Sequence, residues 1–337
     1  MMLALRLARL ALATIALVYL VAFLAYFGVL LLGRGGAGWF AFVRELTLYL
    51  FLPLPLVLLA AALIRSRATL VLSLLPLAVF LGYYGPRFGP EPPAAAGTSG
   101  AFRVLTFNAG GNAGGGALAP LARTIRTVDA DVVALQEVPN GTLAALREDL
   151  SSAYPYQIGS SDTVTLSRFP LQPGTDLRLG DSPYAGQQVR IDARGREVVL
   201  TNVHVTRPGY RLQWRRGVVP LVRSYNPAAR DAQVAELVQQ VRAVGGPRLL
   251  TGDFNETEWS RPYQLITAEL QDSYRDAGHG FGHTYPSNFI WGSWHFSLPL
   301  MRIDYVFHSA ELDATRAWVG PDGGSDHLPV VAELVFR

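Results

Sequence analysis

Three stretches near the start of the chain carry no charged residue, and each is long enough to cross a lipid bilayer. They span residues 10–33, 46–64 and 68–86, or 24, 19 and 19 residues. A helix needs roughly 20 apolar residues to traverse the hydrocarbon core. Across residues 1–86 the single acid is Glu45. Pro53 and Pro55 fall in the second stretch, where a kink is tolerated if neighbouring helices cover the freed backbone groups. The first stretch is too long for the apolar region of a cleaved signal, and two more follow it. Residues 1–86 are therefore expected to form a transmembrane unit of three helices, at about 10–33, 46–64 and 68–86. Arg6 and Arg9 precede the first span, and Arg65 and Arg67 separate the second from the third. Arg34 and Arg44 separate the first from the second, so the charge bias is modest. It favours a cytoplasmic N-terminus, and three crossings then put the remainder outside. A re-entrant third segment would reverse that assignment.

Composition agrees with this division. Half of the 337 residues are hydrophobic and 16% are charged, which is too apolar for an ordinary soluble domain. The excess is confined to the first 86 residues. There is no cysteine, which excludes disulfides, thiolate metal sites and cysteine nucleophiles. The net charge of +3 is weak support for nucleic-acid binding. Residues 87–100, rich in Pro, Gly and Ala, read as a linker, and 101–337 as a separate domain.

Within that domain, strand and helix patterns alternate. FRVLTFN, DVVALQE, VTLSRFPL, the pair VRIDA and EVVLTNVHV, RLLTGDFN, MRIDYVFHS and LPVVAELVF read as strands. Residues 117–128 and about 229–243 read as helices. The order implies an α/β sandwich. The glycine-rich run GGNAGGG after the first strand lacks the GK[ST] ending of a phosphate-cradling loop and is expected to form a flexible lip. Polar residues fall at strand ends: Asn108, Glu137, His204, Asp253, Asn255, Asp304, Asp326 and His327. Strand ends of a sheet converge on one rim, where side chains are held rigidly. Glu137 closes an apolar strand, and a carboxylate is costly to bury there unless it pairs or binds a metal. Oxygen ligands suit Mg²⁺ or Mn²⁺. Asp253 and Asn255 flank Phe254 and can point to one side of an extended segment.

The ordered series T-F-N, L-Q-E, N-V-H, G-D-F-N, R-I-D-Y and S-D-H resembles the endonuclease/exonuclease/phosphatase superfamily, over about residues 102–337. This superfamily includes deoxyribonuclease I, neutral sphingomyelinases, inositol-polyphosphate 5-phosphatases and apurinic endonucleases. Each motif is short, but six in order form a specific signal. The resemblance implies a four-layered α/β sandwich, two packed mixed sheets flanked by helices. It implies Glu137 as the main metal ligand, with Asn108 beside it and Asp326 as a second metal or water ligand. It implies His327 oriented by Asp304 as the acid-base pair, and Asp253 positioning or activating water. Asn255 would donate to a phosphoryl oxygen, and His204 to the phosphate or leaving oxygen. Ser325 is expected as a turn residue. Gly110 stands where the apurinic endonucleases carry an acid, and His204 where they carry tyrosine, so abasic-site recognition is not expected. Water is the expected nucleophile.

Two loops bear on substrate. Residues 207–230 hold Arg207, Arg211, Arg215, Arg216, Arg223 and Arg230 among Tyr210, Trp214 and Tyr225. Arginines suit phosphate groups and anionic lipid surfaces, and a solvated charged loop is the plain alternative. Arg207 follows His204 closely and is the candidate phosphate contact. Residues 288–300 hold Phe289, Ile290, Trp291, Trp294 and Phe296, which suit a membrane interface or the packing of a long hairpin. His279, His283, His295 and His308 are read as loop or packing residues. The expectation is a membrane-anchored, metal-dependent hydrolase of a phosphate ester or pyrophosphate, on a lipid or lipid-linked carrier outside the membrane. Its partners are then the lipid bilayer and a phosphorylated substrate, with no obligate protein partner implied. An anchored extracytoplasmic nuclease is the runner-up, with nucleic acid as substrate. A non-catalytic binding protein on the same fold is the third reading, and the retained polar residue in every motif argues against it.

Overall fold

The computed structural model describes residues 2–33, 38–89, 100–110, 118–159, 162–180, 185–215, 218–287, 289–291 and 294–337. The chain forms two units: Met1–Gly89 with Tyr210–Asn226, and Pro90–Gly209 with Pro227–Arg337. Residues 90–99 of the expected linker lie outside the described residues.

The first unit holds α1 (Met2–Leu31), α2 (Gly38–Glu45), α3 (Pro53–Ile64) and α4 (Arg67–Tyr84). Three segments, Met2–Leu31, Thr47–Ile64 and Arg67–Phe88, are long and apolar enough to cross a membrane. Large apolar side chains along them, such as Leu10, Val18, Leu56 and Leu63, face outward. Polar groups on these helices bond within the unit. Tyr19 Oη donates to the Leu50 carbonyl (3.0 Å), and Arg9 Nε caps the end of α3 at the Ile64 carbonyl (2.7 Å). Pro53 lies at a helix start rather than inside a helix. Residues Thr47–Phe51 form a 3₁₀ turn, and Pro53 opens α3 at its first position, where a missing N–H costs nothing. The proline inside a span is Pro76, in α4.

The second unit runs β1 (Phe102–Asn108), α5 (Leu118–Val128), β2 (Val132–Gln136), α6 (Asn140–Asp149), β3 (Tyr156–Gly159), β4 (Thr163–Ser167), β5 (Leu171–Arg178), β6 (Ala185–Ala193) and β7 (Arg196–His204). The strands β8 (Gly209–Arg215) and β9 (Val218–Asn226) then form a separate two-stranded sheet. The chain continues through α7 (Ala228–Arg242), β10 (Arg248–Asp253), α8 (Arg261–Thr267), β11 (Gln271–Asp272) and α9 (Ser273–Ala277). A short hairpin of β12 (Phe289–Trp291) and β13 (Trp294–Phe296) precedes β14 (Asp304–His308), β15 (Leu312–Val319) and β16 (Val330–Phe336). Within this hairpin the side chains of residues 289–296, His295 included, lie outside the described residues.

Two six-stranded mixed sheets pack face to face, ordered β15-β16-β1-β2-β4-β3 and β11-β14-β10-β7-β6-β5. Alternation along the strands supplies both faces. Leu105 and Phe107 of β1 pack outward with Leu121, Ile125 and Leu146 of α5 and α6. Phe102 and Val104 point the other way, onto Val189, Ile191, Leu200 and Leu249 of the second sheet. The outer face of that sheet takes Val234, Leu237 and Ile266 of α7 and α8. The result is four layers, helix, sheet, sheet, helix. Strands buried on both faces read as continuous apolar runs, which is why β1 and β2 stand out in the sequence. β15 does not, because only Leu312 and Ala317 along it are buried.

A buried polar bridge crosses between the sheets. Gln136 Nε2 donates to Asn202 Oδ1 (2.7 Å), and Asn202 Nδ2 donates to the carbonyls of Leu135 (3.1 Å) and Val164 (3.2 Å). This buried amide pair ties one sheet to the other.

Candidate active site

The parallel strands β1 and β2 end at Asn108 and Gln136, and these residues are register partners. In the other sheet, parallel β7 and β10 end at His204 and Asp253, also partners. Antiparallel β14 begins at Asp304, opposite Asp253. His204, Asp253 and Asp304 therefore stand side by side on three adjacent strand ends. His327, on the approach to β16, completes this rim.

The contacts are direct. Asn108 Nδ2 donates to Asp253 Oδ2 (2.9 Å) and lies 3.4 Å from Glu137 Oε1. His204 Nε2 is 3.0 Å from Glu137 Oε1 and 3.9 Å from Asp253 Oδ2. His327 Nδ1 sits 2.9 Å from Asp304 Oδ2, and its Nε2 is 3.8 Å from Asp253 Oδ2. Arg207 reaches Glu137 at 3.9 Å. The structure thus brings together Asn108, Glu137, His204, Arg207, Asp253, Asn255, Asp304 and His327. Asp326 adjoins His327 in the chain, and its carboxyl feels the charge of Glu137.

Two residues of the site have left-handed backbone. Glu137 and Asn255 are both non-glycine residues at φ +51°, a region disfavoured for side-chain-bearing residues. The turn at Asn255 corrects the expectation of an extended Asp253–Asn255 segment. The two side chains still converge, through the turn: Asn255 N–H donates to Asp253 Oδ1 (2.8 Å), and Asn255 Nδ2 donates to Asp253 Oδ2 (3.2 Å) and to the Val205 carbonyl (2.9 Å). In this arrangement Asn255 aims Asp253, and would have to exchange one of these bonds to reach a phosphoryl oxygen. Arg230, expected in the arginine loop, is instead buried in α7 and donates to the Asn255 carbonyl (2.9 Å). The rest of that expected loop is the β8–β9 hairpin, which belongs to the first unit.

Two glycines serve close approach. A Cβ on Gly252 would lie 1.9 Å from the Val203 carbonyl oxygen. A Cβ on Gly110 would lie 2.3 Å from the Glu137 carboxylate. Gly110 therefore gives Glu137 its place. The glycines that follow, residues 111–117, lie outside the described residues.

Several positioning groups escaped sequence reasoning. Ser325, expected only in a turn, is buried; its hydroxyl lies 2.7 Å from the Asn108 carbonyl and 2.6 Å from that of Gly110, and it accepts from His327 N–H (3.1 Å). It clamps the two catalytic loops together. Thr284 Oγ1 donates to Asp304 Oδ2 (2.6 Å), and the Tyr285 ring lies 4.8 Å from that of His327. No motif marks Thr284 or Tyr285. His308 is buried with its Nδ1 2.9 Å from Ser273 Oγ, and the His283 ring stacks on Phe281, as packing residues do.

The electrostatics follow from this crowding. Burial would strip His327 of its proton, but the charges of Asp304 and Asp253 outweigh it and hold the imidazole up at about 10. Asp253 is pushed up by burial and by Asp304. Asp326 is pushed up by burial and by the Glu137 charge. Glu137 is drawn down to about 2, chiefly by its hydrogen bond with His204.

Two places could hold a cation. Ligand atoms of Asp253, Asp304 and His327 all lie within 4.8 Å of one another. That triangle already contains an imidazolium between two carboxylates, and its side chains are 7% exposed or less. Mg²⁺ retains several waters, for which it has no room. The Glu137 side chain is 27% exposed and shares its surroundings with the Asp326 carboxyl. Hard oxygens under mutual repulsion, open to solvent, fit a divalent ion.

The model of the endonuclease/exonuclease/phosphatase family matches residues 105–327. The chain belongs to that family. Its members hydrolyse phosphoester bonds with a divalent metal, and the fold agrees. A family protein from Bacteroides thetaiotaomicron is similar at 20% identity over 70% of this chain and 98% of its own, with a TM-score of 0.53. Truncated TDP2 of Caenorhabditis elegans is 20% identical over 70% of this chain and 98% of its own, at 0.52. A mannosyl-6-phosphatase of B. thetaiotaomicron is 20% identical over 70% of this chain and the whole of its own, at 0.50. Comparison with curated protein sequences gave no match.

Proposed function

We propose that the protein is a membrane-anchored phosphoesterase, dependent on Mg²⁺ or Mn²⁺, that hydrolyses a phosphate ester or pyrophosphate borne by a lipid or lipid-linked carrier. The observation that carries the chemistry is the meeting of Glu137, His204, Asp253, Asp304 and His327 on one rim, each from a different strand end or loop. Glu137 and Asp326, with Asn108 beside them, would hold the ion. When bound, it supplies positive charge to the phosphoryl oxygens.

The residues divide the remaining work. Asp253, aimed by Asn108 and Asn255, orients the attacking water and accepts its proton. His327, kept protonated by Asp304, faces the charge that grows on the phosphoryl group. His204 donates to the phosphate or leaving oxygen, and Arg207 and Asn255 bind phosphate oxygens. Arg6, Arg9, Arg65 and Arg67 favour a cytoplasmic N-terminus, with three crossings and the catalytic unit outside.

A panel assay tests the reading. The detergent-solubilised full chain, with Mg²⁺ or Mn²⁺, is given lipid pyrophosphates, phospholipids, inositol phosphates and duplex DNA side by side. Lipid phosphates should turn over fastest. Rapid, steeply salt-dependent cleavage of DNA with every lipid phosphate ignored would establish the nuclease instead.

A further inference from the structure

The helix α7 turns one face to the core, and that face changes character along its length. Its buried residues recur at Arg230, Gln233, Val234, Leu237, Val238 and Val241, the spacing of one helical stripe. The last four join the apolar core on the outer face of the second sheet. The first two are polar, and they contact the turns that follow β10 and β7.

Arg230 is poorly placed for a helix that only packs. Its side chain is 2% exposed, and it stands in the first turn, where the helix dipole disfavours a cation. An apolar residue of similar length would fill the same stripe without that penalty. The guanidinium instead reaches three partners. Nη1 donates to the Asn255 carbonyl (2.9 Å), Nε and Nη2 donate to Asp231 Oδ1 (3.2 and 3.1 Å), and Nε lies 3.9 Å from Glu256 Oε2. A planar fork with fixed donor directions locates a carbonyl more sharply than a flexible ammonium would.

The carbonyl it holds belongs to a residue with left-handed backbone, at φ +51°. Such a conformation persists only where its surroundings determine it. The N–H and side chain of Asn255 are committed to Asp253 and to the Val205 carbonyl, which leaves its carbonyl for α7. One helical turn on, Gln233 holds the neighbouring loop. Its Oε1 accepts the Thr206 N–H (2.8 Å) and its Nε2 donates to the Leu179 carbonyl (3.0 Å). Thr206 lies between His204 and Arg207. Because β7 and β10 are parallel neighbours ending at register partners, two side chains three residues apart on one helix reach both loops.

We infer that the first turn of α7 is a plate that holds the reacting end of the site. Arg230 is a positioning residue that locks the Asn255 turn and so aims Asp253, and Gln233 sets the course of the chain from His204 to Arg207. All of these residues lie in the catalytic unit. The inference rests on the water-orienting role given to Asp253 above and not on the identity of the substrate.

The test separates positioning from stability. The detergent-solubilised full chain, with Mn²⁺, is given bis(p-nitrophenyl) phosphate as wild type, as Arg230→Met, and as Arg230→Met with Glu256→Gln. The single variant leaves the buried Glu256 with one counter-charge fewer and should lower the unfolding temperature. The added Glu256→Gln neutralises that carboxylate, keeps the acceptor of the Ser260 hydroxyl, and should return most of the lost stability. Turnover should not return with it. In both variants kcat should fall roughly 10–100-fold with KM within about twofold, the pattern of an interaction felt in the transition state alone. Recovery of kcat along with stability in the double variant means a merely structural role and overturns the inference, as does a raised KM at unchanged kcat. Amide hydrogen exchange reads the loops without a substrate. Peptides spanning 252–257 should exchange faster in the double variant and those spanning 204–207 faster in Gln233→Leu, with peptides of β4 unchanged. Unchanged exchange over 252–257 overturns the hold of Arg230 on the turn. A wild-type chain inert towards the ester counts against the function proposed above, while the exchange result still decides the hold of α7.

Discussion

Two buried clusters of opposite charges in the catalytic unit behave in opposite ways. Behind the site, Arg302 donates to Asp272 Oδ2 (2.7 Å) and Glu258 Oε2 (2.9 Å), and Tyr263 Oη donates to Asp272 (2.8 Å). Asp272 also accepts the N–H groups of Tyr274 (3.0 Å) and Arg275 (3.2 Å) at the start of α9. Although burial opposes it, the charge of Arg302 and these hydrogen bonds hold the Asp272 carboxyl below the usual range. At the rim, Glu137, Asp253, Asp304 and Asp326 crowd around the imidazolium of His327 and the half-exposed Arg207, and both Asp253 and Asp326 are pushed up. The first cluster is closed in charge: Arg302 and neighbouring donors hold both carboxylates. The second holds excess negative charge beside solvent, a surplus that a cation and a phosphate together can resolve. Burial alone therefore does not mark a functional charge; imbalance does.

This contrast can be broken most sharply at His327. His327→Ala should reduce phosphoester turnover by about 10²–10³-fold, the usual worth of one donor aimed at developing charge, with thermal unfolding little changed. Turnover near the wild-type level would move the chemistry elsewhere. Arg302→Met should do the reverse, costing about 3–5 kcal/mol of stability by stranding Asp272 and Glu258. Chemical denaturation reads this directly, and a loss under ~1 kcal/mol would show that the network is not closed. Gly110→Ala should displace the Glu137 carboxylate, since the new Cβ would fall 2.3 Å from it. The metal concentration for half-maximal activity should rise about 10–100-fold, as when a ligand's support is lost. An unchanged metal requirement would remove Glu137 from the metal site.

The smallest expected effect is a pH dependence on the closed side. Burial lowers the ionisation of His308 to about 4 in the folded protein, from an ordinary 6.5. The unfolded chain therefore takes up this proton first, and the His308 contribution to stability is lost as pH falls from 6.5 to 4. His308→Gln should flatten the stability profile in that window and leave it unchanged above pH 7. A profile of unchanged slope would assign the acid sensitivity to other groups.

Much of the site was legible because its residues sit at the ends of strands buried on both faces. A polar residue closing an apolar run, as at Glu137, Asp253 and His204, is conspicuous against it. The supporting groups had no such contrast. Thr284 and Ser325 lie in irregular segments, and their roles arise from partners 20 residues away, at Asp304, and 217 residues away, at Asn108. Arg230 was misread because a charged residue near others looks like a solvated loop until a helix buries it.

By itself the sequence determined the apolar spans, the alternating elements and the polar residues that must share a rim, since period and hydrophobicity are local properties. Only the tertiary structure decided how that rim works. The left-handed turns at Glu137 and Asn255, the place made for Glu137 by Gly110, and the bond of Ser325 to Asn108 each join residues that are distant or strained. Such features are held by the surrounding packing rather than by local preference, so no window of sequence contains them.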